Sequence, residues 1–122
     1  MDAADVKRLI DGYNEAWNRQ DVDAIVSMHA PGFVFENHTA GERAEGDGAR
    51  AHIEAIFRTA PSLRFTGRRL YVAQDLAVSE WTATAERDGL RVEWDGVDVF
   101  PIENGLILRK DVYSSSHRPR HL

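Results

Sequence analysis

The sequence predicts an α+β domain in which three N-terminal helices cover one face of a curved antiparallel sheet. Apolar residues recur at helical spacing in three stretches before residue 61, and from residue 63 onward they alternate as they do in strands. Helices and strands that are segregated along the chain in this way are typical of α+β domains and not of parallel α/β sheets. Helices packed over one face of a curved sheet would enclose a cone-shaped cavity.

Each of the three helices has a recognisable start or end. The first covers residues 3–18, where the apolar side chains form a single stripe. Asp21 can cap a short second helix, which Pro31 and the glycine after it end. Asp47 can cap a third helix, and Pro61 sets its end because the residue before a proline avoids helical geometry.

A short strand and a loop separate the helices, and four long strands follow them. Residues 33–38 begin with aromatic and β-branched side chains and are predicted to form the short strand. The segment 39–48 combines three glycines with charged residues and is predicted to be a mobile lid. The long strands cover 63–74, 76–87, 90–102 and 106–115. The first of these changes its alternation near Gly67, which predicts a bulge and a curved sheet.

Composition limits the class of protein. A chain of 122 residues with 43% hydrophobic content can form one domain, here 1–122, which we expect to be ordered over 3–115 with a flexible tail at 116–122. The net charge of −5 disfavours nucleic-acid binding, since such binding needs clustered cations. The chain has no cysteine, which excludes disulfides and thiolate chemistry. It has neither a signal-like N-terminus nor an apolar run near the roughly 20 residues of a membrane span, so we expect a soluble cytoplasmic protein.

Asp98 is the most informative residue of the chain. It lies in the strand 90–102, in a row of alternate residues that is otherwise apolar or glycine. A lone carboxylate in a row built for burial is either paired for structure or retained for chemistry. The neighbouring strand, 76–87, has a row of small residues around Trp81, which leaves space for a ligand pocket unless helix side chains fill it.

The hairpin turn at Asn104 and Gly105 decides which residue faces Asp98. A two-residue turn would pair Asp98 with Asp111, and two facing carboxylates repel each other. A three-residue loop would pair it with Lys110, as a structural salt bridge or as a site that binds a carboxylate or polarises a carbonyl. We favour the three-residue loop because it turns three apolar residues inward, namely Leu106, Leu108 and Val112.

Several further features occur together in one order. They are Tyr13 and Trp17 on the first helix, the break at 18–21, the strand at 33–37, Gly46 before the third helix, and the hairpin segments 97–100 and 104–107. Together they resemble the nuclear transport factor 2-like superfamily, and within it the SnoaL-like and ketosteroid isomerase-like proteins. The resemblance covers roughly residues 3–115. It implies a cystatin-like α+β cone, a fold that hosts isomerases, cyclases, hydrolases, dehydratases and binding modules.

The resemblance to ketosteroid isomerases implies roles for several residues. Those enzymes hold an enolate oxygen with a tyrosine on the first helix and a protonated aspartate on a later strand, and these positions fall on Tyr13 and Asp98. Their proton-moving aspartate falls on Asn37, which cannot accept a proton at neutral pH. His38 is the alternative base, because it lies at a strand end and histidines in general titrate near neutral pH. Otherwise it is an ordinary surface histidine.

We expect the pocket walls to be aromatic and to carry few polar groups. The expected ligand-binding residues are Trp17, Phe35, Asn37, Phe57, Trp81, Trp94, Phe100 and Lys110. Such a site suits a small, flat, apolar molecule with a carbonyl or hydroxyl group. No cofactor is implied, because no glycine-rich phosphate loop follows a strand, and the five histidines lack the spacing of a metal site. The resemblance also implies a homodimer through the outer face of the sheet, with apolar contacts from Val97, Val99 and Tyr113.

Two classes of function remain open, and with them whether the chain is an enzyme. The first is a small-molecule pocket protein that performs acid–base chemistry beside a carbonyl, as an isomerase, cyclase or dehydratase does. In that class Tyr13 would donate to the oxygen, Asp98 would be the acid or base, and Lys110 would tune it. The second is a non-catalytic ligand-binding or protein-interaction module of the same fold, which the asparagine at position 37 favours.

Overall fold

The computed structural model describes residues 1–115 together with a two-residue strand at 120–121. Within these residues the helices are α1 (Ala3–Arg19), α2 (Val22–Ser27) and α3 (Asp47–Thr59). The strands are β1 (His29–Asn37), β2 (Glu42–Glu45), β3 (Arg64–Val72), β4 (Leu76–Arg87), β5 (Leu90–Glu103), β6 (Leu106–Ser114) and β7 (Arg120–His121). No helix in the described part of the chain combines the length and the hydropathy that a membrane crossing requires.

The strands form one curved sheet in the order β2-β1-β6-β5-β4-β3, and β7 pairs with β5 beside this path. Pairing is antiparallel except between β1 and β6, which run parallel, so the expected antiparallel sheet is corrected at this pair. Most of the chain separates β1 from β6, and no hairpin constrains their relative direction. The bulge predicted near Gly67 is confirmed, since the register of β3 with β4 shifts between Gly67 and Arg69.

The helices cover one face of the sheet, and the core lies between the two layers. Asp2 and Asp5 form a reciprocal capping box at the start of α1. Both long helices bury a stripe of side chains at helical spacing. The buried stripes are Val6, Ile10, Tyr13, Ala16 and Trp17 on α1 and Ala49, Ile53 and Phe57 on α3. The predicted α+β cone is confirmed.

Three predicted features of the first half of the chain are wrong in detail. The predicted lid at 39–48 contains β2, which pairs with β1, so part of its backbone is hydrogen-bonded in the sheet. Helix α3 has Gly46 as its N-cap, with φ of 54°, and Asp47 is its first helical residue. This positive φ favours glycine, and it moves the cap by one residue. The second helix, α2, ends at Ser27 and not at Pro31, which lies inside β1.

The predicted flexible tail, 116–122, is described only at Arg120–His121. Residues 116–119 and 122 lie outside the described part of the chain. At positions 120 and 121 the backbone pairs with Glu93 and Val92 of β5. These two residues therefore extend the sheet, where the prediction had no regular structure.

The β5–β6 hairpin has a two-residue turn, so the favoured three-residue loop is wrong. Glu103 pairs with Leu106, and Asn104 and Gly105 between them have φ of 53° and 75°. Two successive positive φ values define a type I′ turn, whose twist matches that of the flanking strands. Ile107 is the fully buried residue after this turn, in place of the predicted Leu106.

A bulge in β6 gives Asp98 a partner that neither predicted register contains. The register shifts between Val99 and Ile102, because β6 carries one residue more than β5 in this interval. Asp98 consequently pairs with Val112. The extra residue also reverses which residues of β6 point inward, so that Lys110 becomes buried and lies diagonal to Asp98.

Candidate functional site

Two cavities open on the concave side of the sheet, beside α1. Their volumes are about 350 Å³ and 300 Å³. They share a wall of five residues: Trp17, Phe65, Trp81, Asp98 and Lys110. Each volume is in the range of ordinary small-molecule sites. A molecule bound in either cavity would therefore contact the same aromatic rings and the same two charged side chains.

The two cavities differ in the residues that complete them. The first, which we call the polar cavity, is completed by Asp11, Asn14, Glu15, Asn18, Gly67 and Ser79. The second, which we call the apolar cavity after its larger set of aliphatic and aromatic side chains, is completed by Phe35, Ile56, Ala60, Leu63, Trp94 and Val112 together with Asn37, Glu42, Thr59 and Arg87. The pair of cavities suits a ligand that has an apolar body against the shared wall and a polar group toward either end.

Asp98 and Lys110 form a buried charge pair in the shared wall. Their side chains are 5% and 6% exposed, and Lys110 Nζ lies 3.8 Å from Asp98 Oδ2. This distance is too long for a hydrogen bond. Asp98 Oδ1 is buried and has no hydrogen-bond partner among the described residues. A buried carboxylate oxygen without a partner is unfavourable, and a polar group of a ligand would satisfy it.

Aromatic rings surround the ammonium group of Lys110. Nζ lies 3.6 Å from the ring centroid of Trp17, and 5.2 Å and 5.5 Å from those of Tyr13 and Phe35. These contacts favour the charged form, whereas burial removes the water that stabilises it. Burial lowers the pKa of Lys110 to about 8, although the negative charge of Asp98 opposes this shift. Lys110 therefore releases its proton at a lower pH than an exposed lysine does.

Burial also raises the pKa of the Asp98 carboxyl. The positive charge of Lys110 and the indole N–H of Trp81 act in the opposite direction. That N–H is itself buried, and its geometry falls short of a hydrogen bond. The pKa values of Asp98 and Lys110 thus move toward each other, which is the condition under which an acid and a base exchange a proton readily.

Gly96 determines where Trp81 can lie. The two residues are directly opposite each other on β5 and β4. A Cβ atom at position 96 would lie 2.2 Å from Cη2 of the Trp81 indole, so a side chain there would displace the ring. The indole also packs edge-on against Phe65, with ring centroids 5.1 Å apart. The glycine in the buried row of β5 is therefore what allows an indole to form the shared wall.

The hydroxyl of Tyr13 is engaged away from Asp98. It lies 2.9 Å from Nε2 of His29, and the tyrosine is fully buried. Burial, aided by the charge of Lys110, lowers the pKa of His29 to about 3, so its imidazole is neutral and accepts the Tyr13 O–H. Burial also favours the neutral form of Tyr13 and raises its pKa. Tyr13 lines neither cavity, and the structure does not assemble the predicted oxyanion pair with Asp98.

His29 is a residue that sequence reasoning missed. Its ring stacks on Phe33 with centroids 3.5 Å apart, and its backbone pairs with Ile107 of β6. It lies sixteen positions from Tyr13 in sequence, so no motif spacing relates the two. The only available signal was that a buried tyrosine hydroxyl requires some partner.

His38 lies on the outer face of the sheet, away from both cavities. Its Nε2 is 2.8 Å from Asp111 Oδ1, and its ring stacks on Tyr113 with centroids 4.5 Å apart. Asn37 does line the apolar cavity, but its Oδ1 accepts a hydrogen bond from the backbone N–H of Ala40. Adjacent residues of a strand point to opposite faces, which separates the two. His38 is thus not placed to take a proton from a molecule in either cavity.

The other predicted wall residues divide between the cavity and the core. Trp94 and Phe35 line the apolar cavity. Phe57 packs edge-on against Trp17 at 5.1 Å, and Phe100 is fully buried, so both belong to the core beneath the site. Alternation identified the strand residues, but it could not distinguish the layer that touches a ligand from the layer behind it.

Sequence reasoning also missed the residues that shape the polar cavity. Asn18 exchanges two hydrogen bonds with the backbone of Phe65, at 2.8 Å and 2.9 Å, and so holds β3 beside its bulge. Ser79 pairs with Asp98 across β4 and β5, and its Oγ accepts a hydrogen bond from Asn14 Nδ2 at 3.3 Å. Asn18 was interpreted only as the polar end of a helix.

One group of potential metal ligands occurs in the part of the chain that the structure describes. Glu36, His38 and Asp111 on the outer face offer ligand atoms within 4.8 Å of one another. Arg109 donates hydrogen bonds to Glu36 at 3.0 Å and to Asp111 at 2.7 Å, so both carboxylates already have a cationic partner. The group comes from two strands, so spacing along the sequence gave no sign of it. We interpret it as a salt-bridge network, called the outer network below.

Comparison with known families and curated proteins gives one match. The sequence model of a family described as the SnoaL-like domain matches residues 10–110. No curated protein matches the chain. The matched segment begins within α1 and ends at Lys110, so it includes the Asp98–Lys110 pair and all of the cavity lining except Val112.

Solved structures share the whole fold at low sequence identity. A proposed SnoaL-like polyketide cyclase from Jannaschia sp. CCS1 has a TM-score of 0.81 and 21% identity, over 94% of this chain and 88% of that one. AclR from Streptomyces galilaeus, described as a proposed hydroxylase, has a TM-score of 0.78 and 20% identity, over 94% and 81%. An NTF2-like protein of unknown function from Burkholderia pseudomallei K96243 has a TM-score of 0.83 and 17% identity, over 92% of each chain. At these identities the comparisons establish the fold.

Proposed function

This chain belongs to the SnoaL-like domain family, and we propose that it binds a small, largely apolar molecule and performs acid–base chemistry beside a carbonyl of that molecule. The reaction class is that of an isomerase, cyclase or dehydratase that needs no cofactor. Two structural relatives, described as a proposed polyketide cyclase and a proposed hydroxylase, support small-molecule chemistry on this fold.

The buried Asp98–Lys110 pair is the observation that carries this proposal. A salt bridge that served only stability would close to hydrogen-bonding distance and satisfy its remaining lone pairs, because desolvated charges are otherwise unfavourable. Here the two groups remain 3.8 Å apart, one carboxylate oxygen has no partner among the described residues, and both residues line both cavities. These properties support a pair that is completed by a ligand.

In the proposed reaction Asp98 moves a proton and Lys110 stabilises the oxygen. The Asp98 carboxylate removes a proton from the carbon beside the carbonyl, and the Lys110 ammonium donates a hydrogen bond to the oxygen on which negative charge develops. The indoles of Trp17 and Trp81 hold the flat body of the molecule and exclude water. Tyr13 has no direct role in this scheme, since its hydroxyl is bonded to His29.

The test is the exchange of carbon-bound protons for deuterium in 2-tetralone, a fused-ring ketone, followed by proton NMR in D₂O. We expect the wild type to accelerate exchange beyond the buffer rate and Asp98→Asn to reduce that acceleration by about a hundredfold or more. The matched control is Asp111→Asn, which alters an outward carboxylate of the neighbouring strand and should leave the rate within about twofold. An Asp98→Asn variant that binds 2-tetralone and exchanges it at the wild-type rate would exclude Asp98 as the base.

A non-catalytic binding protein is the second candidate function, and Asn37 is the observation that favours it. This residue lines the apolar cavity where the resemblance to ketosteroid isomerases places a base, and its side chain instead holds the turn at Ala40. A binding protein should be stabilised by 2-tetralone in a thermal-shift titration and should show no exchange above the buffer rate. A protein-interaction module should show neither effect.

We also propose that the chain forms a homodimer through the outer face of the sheet. Tyr113 is 46% exposed on this face, and Val97 and Val99 beside it are only half-buried. Apolar side chains exposed together on one sheet face are typical of an interface. Sedimentation equilibrium of the wild type and of Val97→Lys tests this, and a monomeric wild type at tens of micromolar would exclude it.

A further inference from the structure

The chain uses arginine for nearly all of its positive charge. It has thirteen arginines and only two lysines, Lys7 and Lys110. Lys7 lies on the surface of α1 in an ion pair with Asp11, whereas Lys110 lies in the wall shared by the two cavities. A guanidinium stays charged in proteins, but an ammonium can lose its proton and become a nucleophile. The cation in the shared wall is therefore of the one type that can react with a ligand.

Burial of Lys110 favours the loss of that proton. The rings of Tyr13 and Trp17 on α1 and of Phe35 on β1 replace the water around Nζ, and their cation–π attraction compensates for only part of that loss. His29, at the start of β1, is neutral. Asp98 of β5 is the charged group that faces Nζ, at 3.8 Å, and it makes no hydrogen bond with it. Burial therefore outweighs the attraction of Asp98, and the pKa of Lys110 falls to about 8.

We propose that Lys110 forms an imine with an aldehyde or ketone held in the two cavities, which makes this a site of covalent amine catalysis. The proposal rests on the proposed function, that the cavities hold a carbonyl compound, and it deepens that function. Lys110 bonds to the carbonyl carbon instead of donating a hydrogen bond to the oxygen. The geometry that carries the proposal is a buried amine in the wall of both cavities, separated from a carboxyl by a gap that no hydrogen bond closes.

The reaction balances with the two side chains alone. The neutral amine of Lys110 attacks the carbonyl carbon, a C–N bond forms, and one amine proton passes to the oxygen to give a carbinolamine. The Asp98 carboxylic acid then protonates the hydroxyl, which leaves as water while the nitrogen lone pair forms the C=N bond. The products are a protonated imine, the Asp98 carboxylate and one water. A protonated imine withdraws electrons more strongly than a ketone, so the same carboxylate can next remove a proton from the adjacent carbon.

The two lysines allow a test within a single protein sample. The probe is 6-methoxy-2-naphthaldehyde, and sodium cyanoborohydride at pH 7.5 reduces any imine to a stable amine. Mass spectrometry of peptides then measures the adduct at Lys110, at Lys7 and at the N-terminal amine. We expect Lys110 to be labelled about a hundredfold faster than Lys7, since a pKa near 8 leaves far more neutral amine than the ordinary lysine value of about 10.4. In the urea-unfolded protein the two rates should be equal.

Two variants separate covalent chemistry from binding. Lys110→Arg retains the charge but removes the nucleophile, so the probe should still bind, as its fluorescence would show, without forming an adduct in the cavities. Asp98→Asn removes the proton donor and should slow labelling of Lys110 by about tenfold or more, while labelling of Lys7 stays unchanged. Lys7→Arg is the matched control and should leave labelling of Lys110 as it is in the wild type.

The outcomes distinguish this proposal from the one on which it rests. If the probe binds and Lys110 is labelled no faster than Lys7, the covalent proposal is overturned and the pocket function stands. If aromatic aldehydes of one, two and three rings neither bind nor label Lys110, both proposals fail. Preferential labelling of Lys110 that disappears in urea supports both.

Discussion

Strand β6 carries two adjacent basic residues whose surroundings are opposite in kind. Arg109 points to the outer face of the sheet and donates hydrogen bonds of 2.7–3.1 Å to Glu36 and Asp111. Lys110 points to the inner face, where its charged neighbour Asp98 lies 3.8 Å away. One step along the strand thus separates the hydrogen-bonded outer network from a charge pair that has no hydrogen bond between its members.

The pKa shifts in the outer network are opposite in direction to those of the buried Asp98–Lys110 pair. Hydrogen bonds from Arg109 and from the outer histidine lower the pKa of Asp111, and the hydrogen bond with Asp111 raises the pKa of Arg109. Burial raises the pKa of Asp98 and lowers that of Lys110. The outer residues are stabilised in their charged forms and the inner ones are destabilised in theirs. An ion pair alone therefore does not mark a candidate site, whereas a buried pair without a hydrogen bond between its members does.

The pH dependence of stability should show the largest difference between the two faces. We compare the wild type with the double variant Asp98→Leu/Lys110→Met, in which both inner charges are absent. In the folded wild type Asp98 keeps its proton to higher pH than it does in the unfolded chain. The free energy of unfolding of the wild type, relative to that of the double variant, should therefore fall as the pH rises above 3.8. Folded Lys110 releases its proton near pH 8 instead of 10.5, so relative stability should recover between these values, by about 3 kcal/mol. Urea unfolding of both proteins at each pH measures the difference.

The matched control for this experiment is Arg109→Met/Asp111→Leu on the outer face. The lowered pKa of Asp111 provides stability that is present above its ordinary range and is lost only as the pH falls below it. The difference between this variant and the wild type should therefore stay flat from pH 8 to pH 10.5, the range in which the difference for the inner pair rises. A curve of the same shape for both pairs would contradict the contrast between the faces.

Gly96→Ala should have the next largest effect, because it acts on the inner face through packing. The new Cβ would lie 2.2 Å from the Trp81 indole, which has to move out of the shared wall. We expect a loss of about 1–3 kcal/mol in the free energy of unfolding, as for other overpacked cores, and weaker binding of 2-tetralone. Thermal unfolding with and without the ketone measures both effects.

Gly12→Ala is the control for that substitution. Apart from the adjacent residues and the backbone of the helix itself, no atom lies within 4 Å of a Cβ at Gly12, which is in the middle of α1, and alanine is the better helix former. This variant should be as stable as the wild type or more stable by up to about 1 kcal/mol. If Gly96→Ala behaved in the same way, the indole of Trp81 would not depend on the missing side chain.

The sequence was sufficient for features that depend on local pattern. The bounds of α1, β4 and β5 agree with the predicted ones to within a residue or so, because periodicity and turn residues are encoded nearby in the chain. The parallel pairing of β1 with β6 could not be predicted in this way, since it joins segments more than seventy residues apart. The same holds for the bond between Tyr13 and His29, which depends on how α1 packs over β1.

The pairing of Lys110 with Asp98 shows how a correct contact can follow from a wrong register. In the register predicted from the sequence, a three-residue loop places Lys110 opposite Asp98. The structure has a two-residue turn, and it restores the contact through the bulge in β6. The two-residue turn has a local signal, because Asn104 and Gly105 suit positive φ, but the apolar residues that a three-residue loop turns inward favour the other register. The bulge has no local signal, because it depends on burying Ile107 and Lys110 on the same face.

Arg109→Gln, a substitution in the outer network, should have the smallest effect on the free energy of unfolding. The three outer side chains of this contact, Arg109, Glu36 and Asp111, are 35%, 28% and 16% exposed, so water and salt screen the pair. We expect a loss of about 1 kcal/mol or less, which should shrink further in 1 M NaCl, and unchanged exchange of 2-tetralone. Urea unfolding at low and high salt measures this. A larger loss that salt does not reduce would show that the outer network, like the inner pair, is held in a dry environment, and exposure would then no longer explain why the two faces of β6 differ.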